Sequence, residues 1–167
     1  MNSVSMEDTR WLTPEEDRAW RGYRRMRNLL DLQLGRDLYG ESQLSDADYD
    51  VLSTITEKPG QVWRASELAA RLLWSTSRLA HHLRRMEGRG LIVRGEVPGD
   101  ARGATVTLSD AGQAALRTAA IGHVESVRRH FIDLLSPVQI GALADIADQV
   151  INHFADVPPA REVPETA

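Results

Sequence analysis

Ser75-Thr76-Ser77-Arg78-Leu79-Ala80-His81-His82-Leu83-Arg84-Arg85-Met86 carries two different surfaces in one run. Leu72, Thr76, Leu79, Leu83 and Met86 recur at spacings of 3 and 4. On a helix, that spacing makes a single stripe. Ser77, Arg78, His81, Arg84, Arg85 and Gly88 fall on the opposite side. One side can pack while the other offers hydroxyl, imidazole and guanidinium groups, the chemistry that reaches phosphates and base edges in a DNA major groove. His82 lies beside the stripe, where packing is the simpler role. A solvated basic face on an ordinary helix has the same pattern, so the neighbouring segments decide between the two.

Upstream, Ser66 is expected to cap a short helix with Leu68, Ala69 and Leu72 inward. Leu73-Trp74 forms a turn before Ser75, itself an N-cap, and the helix that follows closes on Gly90. Downstream, residues 91–96 read as a strand, 97–103 as a turn of Pro, Gly and Asp, and 104–108 as a second, alternating strand. Two helices joined by a short turn and followed by a β-hairpin make a helix-turn-helix with a wing.

Further out, Thr13-Pro14-Glu15-Glu16 opens a helix, with Thr as N-cap, Pro in the first position and acids in the first turn. Apolar spacing carries it to about Leu38, and Tyr39-Gly40 is expected to end it. Its arginines at 18, 21, 24, 25 and 27 are most simply a solvated or salt-bridged face. Ser45-Asp46 opens another helix, with Tyr49, Leu52 and Ile55 on one side, and Lys58-Pro59-Gly60 stops it. Val62-Trp63-Arg64 is short and β-prone. A long helix from Ser109 is expected to reach the break at Ser136-Pro137, its stripe including Val124, Phe131 and Leu134. A last helix follows, with Ile140, Leu143, Ile146, Val150 and Phe154 inward.

The expected fold class is mainly α with a small β-hairpin wing. One domain covers residues 13–156, its winged helix-turn-helix over about 45–108, flanked by helices over about 13–39 and 109–156. Residues 1–12 read as a flexible lead-in and 157–167 as a disordered tail. A winged unit does not need so much flanking helix to bury its core. The surplus apolar surface at both chain ends suggests dimerisation helices.

The chain's 167 residues, 42% of them hydrophobic, suit one packed core rather than a disordered or membrane-bound chain. No apolar run approaches the roughly 18 residues of a spanning helix, and residues 1–9 lack the apolar stretch of a signal peptide. A cytoplasmic protein is expected. With no cysteine, disulfides, thiolate metal sites and thiol-based redox sensing are excluded. Net charge is −4, yet residues 64–102 hold eight Arg against four acids. A positive segment on an acidic body gives local attraction to phosphate without general stickiness.

At this point the chain resembles the MarR family of transcriptional regulators. The resemblance lies in Ser66-Glu67-Leu68-Ala69, in Arg85-Met86-Glu87-Gly88-Arg89-Gly90-Leu91-Ile92, in Asp100-x-Arg102, and in Val106-Thr107-Leu108-Ser109-Asp110-Ala111-Gly112. It extends over about residues 13–154. Leu73-Trp74 departs from it by lacking a glycine in the turn. The resemblance implies a homodimer with two winged lobes on a palindromic operator, usually a repressor released by a small ligand. A two-fold dimer would set its recognition helices about one DNA turn, roughly 34 Å, apart.

For DNA binding the candidates are Ser75, Thr76 and Ser77 near the helix N-terminus, where the dipole favours phosphate. Arg78, His81 and Arg85 are candidates for base edges, and Arg84 and Arg64 for phosphate or salt bridges. Asp100 is placed to hold Arg102 extended toward a minor groove, although an ordinary turn ion pair would share that pattern. The resemblance also implies a ligand pocket, for which Trp20, Tyr23, Tyr49, Trp63 and Trp74 are lining candidates, each equally placed to be core. An aromatic effector would suit them. His123 and His130, with Glu125 and Asp133 near, lack tight ligand spacing, so no metal is assigned. No cofactor motif and no catalytic arrangement is present, and no enzyme is expected. The competing function is a winged-helix protein-interaction module whose basic face meets an acidic partner.

Overall fold

Serine and threonine caps set the helical frame. The computed structural model describes residues 9–97 and 100–155. Thr13 caps α1 (Pro14–Ser42) through a reciprocal box in which the Glu16 amide donates to the Thr13 hydroxyl and the Thr13 amide to the Glu16 carboxylate. Ser45 and Asp48 form the same box at the start of α2 (Asp46–Thr56). Ser75 accepts from the Arg78 amide to cap α4 (Thr76–Gly88). Between them lie β1 (Trp63–Arg64) and α3 (Ala65–Arg71), and beyond α4 come β2 (Ile92–Val97), β3 (Asp100–Leu108), α5 (Asp110–His130), a 3-10 turn (Ile132–Leu134) and α6 (Pro137–Ala155). The described residues form two compact units, divided between Ser126 and Val127.

The first unit holds the core. Val51, Leu52 and Ile55 of α2, Leu68 and Ala69 of α3, Leu79, Leu83 and Met86 of α4, and Ile92 and Val106 of the sheet are all buried together, with Leu38 of α1 and Ala119 of α5 against them. Fully burying side chains of this size stabilises by about 1.5–3 kcal/mol each, so three of them fix the roll of α4 about its axis. Gly90, at φ +72, ends that helix: its amide donates to Glu87 and the next amide, of Leu91, reaches back to Met86. Gly112 lets α5 cross against the Leu91 carbonyl, where any Cβ would collide with backbone.

The expected helices and hairpin are present, and several boundaries differ from expectation. The sheet has three antiparallel strands in the order β1-β3-β2, because Trp63 and Arg64 pair with Val106 and Thr105 across β3. That pairing carries the chain straight into α3. The N-cap is therefore Arg64, without a side-chain cap bond, rather than Ser66. Helix α1 runs past Tyr39-Gly40 to Ser42 and ends on Gln43 at φ +59. A glycine costs a helix only about 1 kcal/mol, less than burying Leu38 and Leu44 returns. Asp100–Gly103 belong to β3, not to the turn, with a register shift between Glu96 and Val97.

Helix α5 stops at His130 instead of continuing through Leu134. Phe131, at φ −140 and ψ −65, leaves helical geometry. Within α4, Thr76 is exposed in the first turn and His82 takes its place in the buried arc. Val124 and Leu134, expected in a buried stripe, are exposed, as are Ile140, Ile146, Val150 and Phe154 of α6. Amphipathic spacing reports a face that seeks cover, not whether one chain supplies it. The expected lead-in through residue 8 and the tail at 157–167 lie outside the described residues.

Candidate nucleic-acid interface

Helix α4 divides as its sequence divides. Leu79, His82, Leu83 and Met86 are buried, while Ser77, Arg78, His81, Arg84 and Arg85 are all exposed on the opposite arc. At the helix start the Ser75 hydroxyl caps the chain and lies 3.3 Å from the Ser77 hydroxyl. Ser75 and Thr76 are exposed there too. Arg64 is exposed on β1. The structure thus places Ser77, Arg78, His81, Arg84 and Arg85 on one exposed arc, with Ser75 and Thr76 exposed at the helix start. Of the wing pair, the backbone of Asp100 and Arg102 is in β3, and their side chains lie outside the described residues.

Behind the exposed arc runs a line of buried and half-buried polar groups that the sequence did not mark as a unit. The Arg78 guanidinium lies over the Trp74 indole, 4.1 Å from the ring centroid. The Trp74 ring meets the His82 imidazole edge-on, at 5.5 Å and 88°. An Arg85 guanidinium nitrogen is 3.0 Å from His82 Nδ1. A guanidinium only donates, so Nδ1 accepts, and the neutral ring carries its proton on Nε2. That Nε2 is 3.1 Å from Asp48 Oδ1, close but off hydrogen-bond alignment. Arg89 donates to Asp48 Oδ2 at 2.6 Å and to the Gln43 carbonyl at 3.0 Å.

Burial pushes the Asp48 carboxyl up, but the Arg89 guanidinium and the Ser45 amide and hydroxyl outweigh it and hold the group below its ordinary value. Burial pushes the His82 imidazole down; Asp48 opposes and Arg85 reinforces, and the net shift is downward. His82 therefore stays neutral and keeps a lone pair for Arg85. Asp48 was legible only as the acid three residues after a serine cap. Its partners Arg89 and His82 lie more than thirty residues further along.

The five aromatic candidates for a ligand pocket each have their own partners, and Tyr49, Trp63 and Trp74 pack against the core. Trp20 and Tyr23 stack on each other at 5.9 Å and are about half exposed. Tyr49 packs on His123 at 4.6 Å. Trp63 donates its indole N–H to the Ile55 carbonyl, and Trp74 belongs to the line behind α4. A depression of about 490 Å³ in this unit is instead lined by Tyr39, Gln43, Ser45, Asp48, Arg85 and Arg89. Among the described residues no group of three or more His, Asp or Glu is arranged to hold a metal ion.

Known proteins share this fold. The MarR family profile matches residues 42–103. AbsC, a MarR family transcriptional regulator from Streptomyces coelicolor, superposes with a TM-score of 0.81 at 38% identity, covering 88% of this chain and 99% of its own. Sco3205 from the same organism, a MarR family regulator solved in complex with DNA, gives 0.85 at 34% identity, covering 93% and 98%. The regulator PecS of Dickeya dadantii is 29% identical over 110 residues, which span 65% of this chain and 63% of PecS. With its winged helix-turn-helix, and with the two Streptomyces coelicolor regulators matched over nearly their full length at 34–38% identity, the chain belongs to the MarR family of transcriptional regulators.

Proposed function

We propose that this regulator binds a pseudo-palindromic operator as a homodimer in the cytoplasm, as a repressor released by a small ligand rather than as an enzyme. The observation that carries the DNA contact is the exposed arc of α4, where Ser77, Arg78, His81, Arg84 and Arg85 stand together while the opposite arc is locked into the core. Ser75, Thr76 and Ser77 offer hydroxyls at a helix N-terminus, the end that attracts phosphate. Arg64 adds backbone attraction. Asp100 and Arg102 extend the reading to an adjacent minor groove from the wing. That the relative Sco3205 was solved in complex with DNA supports a DNA-binding role.

Dimerisation is supported by apolar surface left open in each unit. In the first, Trp11 and Leu12, which precede α1, are exposed along with Leu29 and Leu32 on α1; in the second, Val138, Ile146, Ile151 and Phe154 are exposed on α6. Apolar area of this kind is normally covered by a second copy. Repression and ligand release rest on family membership.

Duplexes selected from a random library by the purified protein, titrated over salt, provide the test. Strong, salt-dependent binding to one palindromic class, with a steep salt slope, is the expected result. Arg78→Ala should weaken the selected duplex by about 1–3 kcal/mol and relax preference at one base pair. Absence of duplex selectivity at every salt concentration would favour a protein-interaction module.

A further inference from the structure

Trp74 occupies an unusual place. It stands one residue before the N-cap of α4, half-buried, in a turn where the preceding Leu73 is held at φ +55. Its amide donates to the Ala69 carbonyl at 2.9 Å, which ties the turn to α3. One face of the indole carries the Arg78 guanidinium at 4.1 Å, and its ring meets the buried His82 imidazole at 88°. His82 is held in turn by Arg85 and by Asp48. The indole is thus braced from the core side and loaded on the solvent side with a cation.

We propose that Trp74 is a positioning residue that sets the base preference of this regulator by holding Arg78 on the exposed arc of α4. This rests on the reading of α4 as the DNA-contacting helix. The physical reason is preorganisation. A free arginine side chain must surrender its rotamer freedom to present a planar fork to a base edge. Stacking on an indole removes much of that freedom beforehand and leaves the N–H edges of the fork clear. A lysine at the same position keeps the charge but loses the planar stack. Trp74 touches no nucleotide in this account; it acts through Arg78.

Binding of the purified dimer to its library-selected duplex and to a scrambled duplex tests this, with Trp74→Ala, Trp74→Phe, Arg78→Ala, Arg78→Lys and the Trp74→Ala/Arg78→Ala double variant. Trp74→Ala should lose about 3- to 30-fold on the selected duplex, the span expected for a cation stacked on an aromatic face, and little on the scrambled one. The double variant should bind no worse than Arg78→Ala alone, because Trp74 has nothing left to position. Trp74→Phe, which keeps a ring, should recover part of the loss. If Trp74→Ala does not fold, Trp74→Phe carries the test, losing part of the preference for the selected duplex while its binding to the scrambled one and its salt slope stay unchanged.

Additive losses in the double variant, or equal weakening by Trp74→Ala on both duplexes, would show that Trp74 only supports the turn, and the proposal falls. If Arg78→Ala leaves a selective protein selective, Arg78 reads nothing and the proposal falls while the DNA reading stands. If no duplex is selected by the unaltered protein, both fall together.

Discussion

His82 Nε2 lies 3.1 Å from Asp48 Oδ1, and both side chains are nearly sealed from solvent, at 6% and 4% exposed. The imidazole is neutral because burial holds it below its ordinary value of 6.5, and because its Nδ1 accepts from Arg85. A base whose folded value is depressed is protonated first in the unfolded chain. Stability is therefore fully present above about 6.5 and falls as pH drops from there toward the folded value. Asp48, also depressed, adds a second loss at more acid pH, as its carboxylate is protonated in passing through its folded value. Denaturant melts between pH 8 and 5 should show a declining midpoint, and His82→Gln should flatten that decline. A slope unchanged in the variant would assign the effect elsewhere.

Asp48 joins the start of α2 to the end of α4. It accepts from the Ser45 amide at 3.0 Å and from Arg89 at 2.6 Å. Asp48→Asn removes the charge that Arg89 faces while keeping an oxygen for Ser45. The expected loss is about 1–3 kcal/mol, at the low end because Arg89 is 44% exposed and water can replace part of the bond. Chemical denaturation at neutral pH measures it.

Gly112 has no room for a methyl group: a Cβ there would lie 1.8 Å from the Leu91 carbonyl oxygen. Its amide also receives no slack, since it donates to the Ser109 hydroxyl at 2.9 Å. Gly112→Ala must push α5 away from the end of α4. Overpacking of this kind costs about 1–3 kcal/mol or more. A lowered Tm with the helical circular dichroism signal retained is the expected signature.

Leu73 stands at φ +55 with its side chain 92% exposed. Leucine buries nothing there, and its Cβ is crowded in the left-handed region. Leu73→Gly should stabilise the folded protein by up to about 1 kcal/mol, with the greater freedom of glycine in the unfolded chain offsetting part of the relief. Comparing unfolding midpoints of the two proteins decides the sign.

What was legible in the sequence was local. The stripe on α4, the caps at Thr13, Ser45 and Ser75, and the left-handed Gly90 all follow from interactions within a few residues, where periodicity and cap chemistry act directly. The exposed arc of Ser77, Arg78, His81, Arg84 and Arg85 was legible for the same reason, being the complement of the stripe. Tertiary structure decided the rest. Pairing β1 with β3 moved the start of α3, and α1 ran through Gly40 because Leu38 and Leu44 had a core to enter. His82 met Asp48, a contact no spacing rule contains, and burial then settled its charge. The expected inward faces of α6 stayed exposed, since apolar patterning encodes a need for cover while its supply depends on which surfaces meet in space.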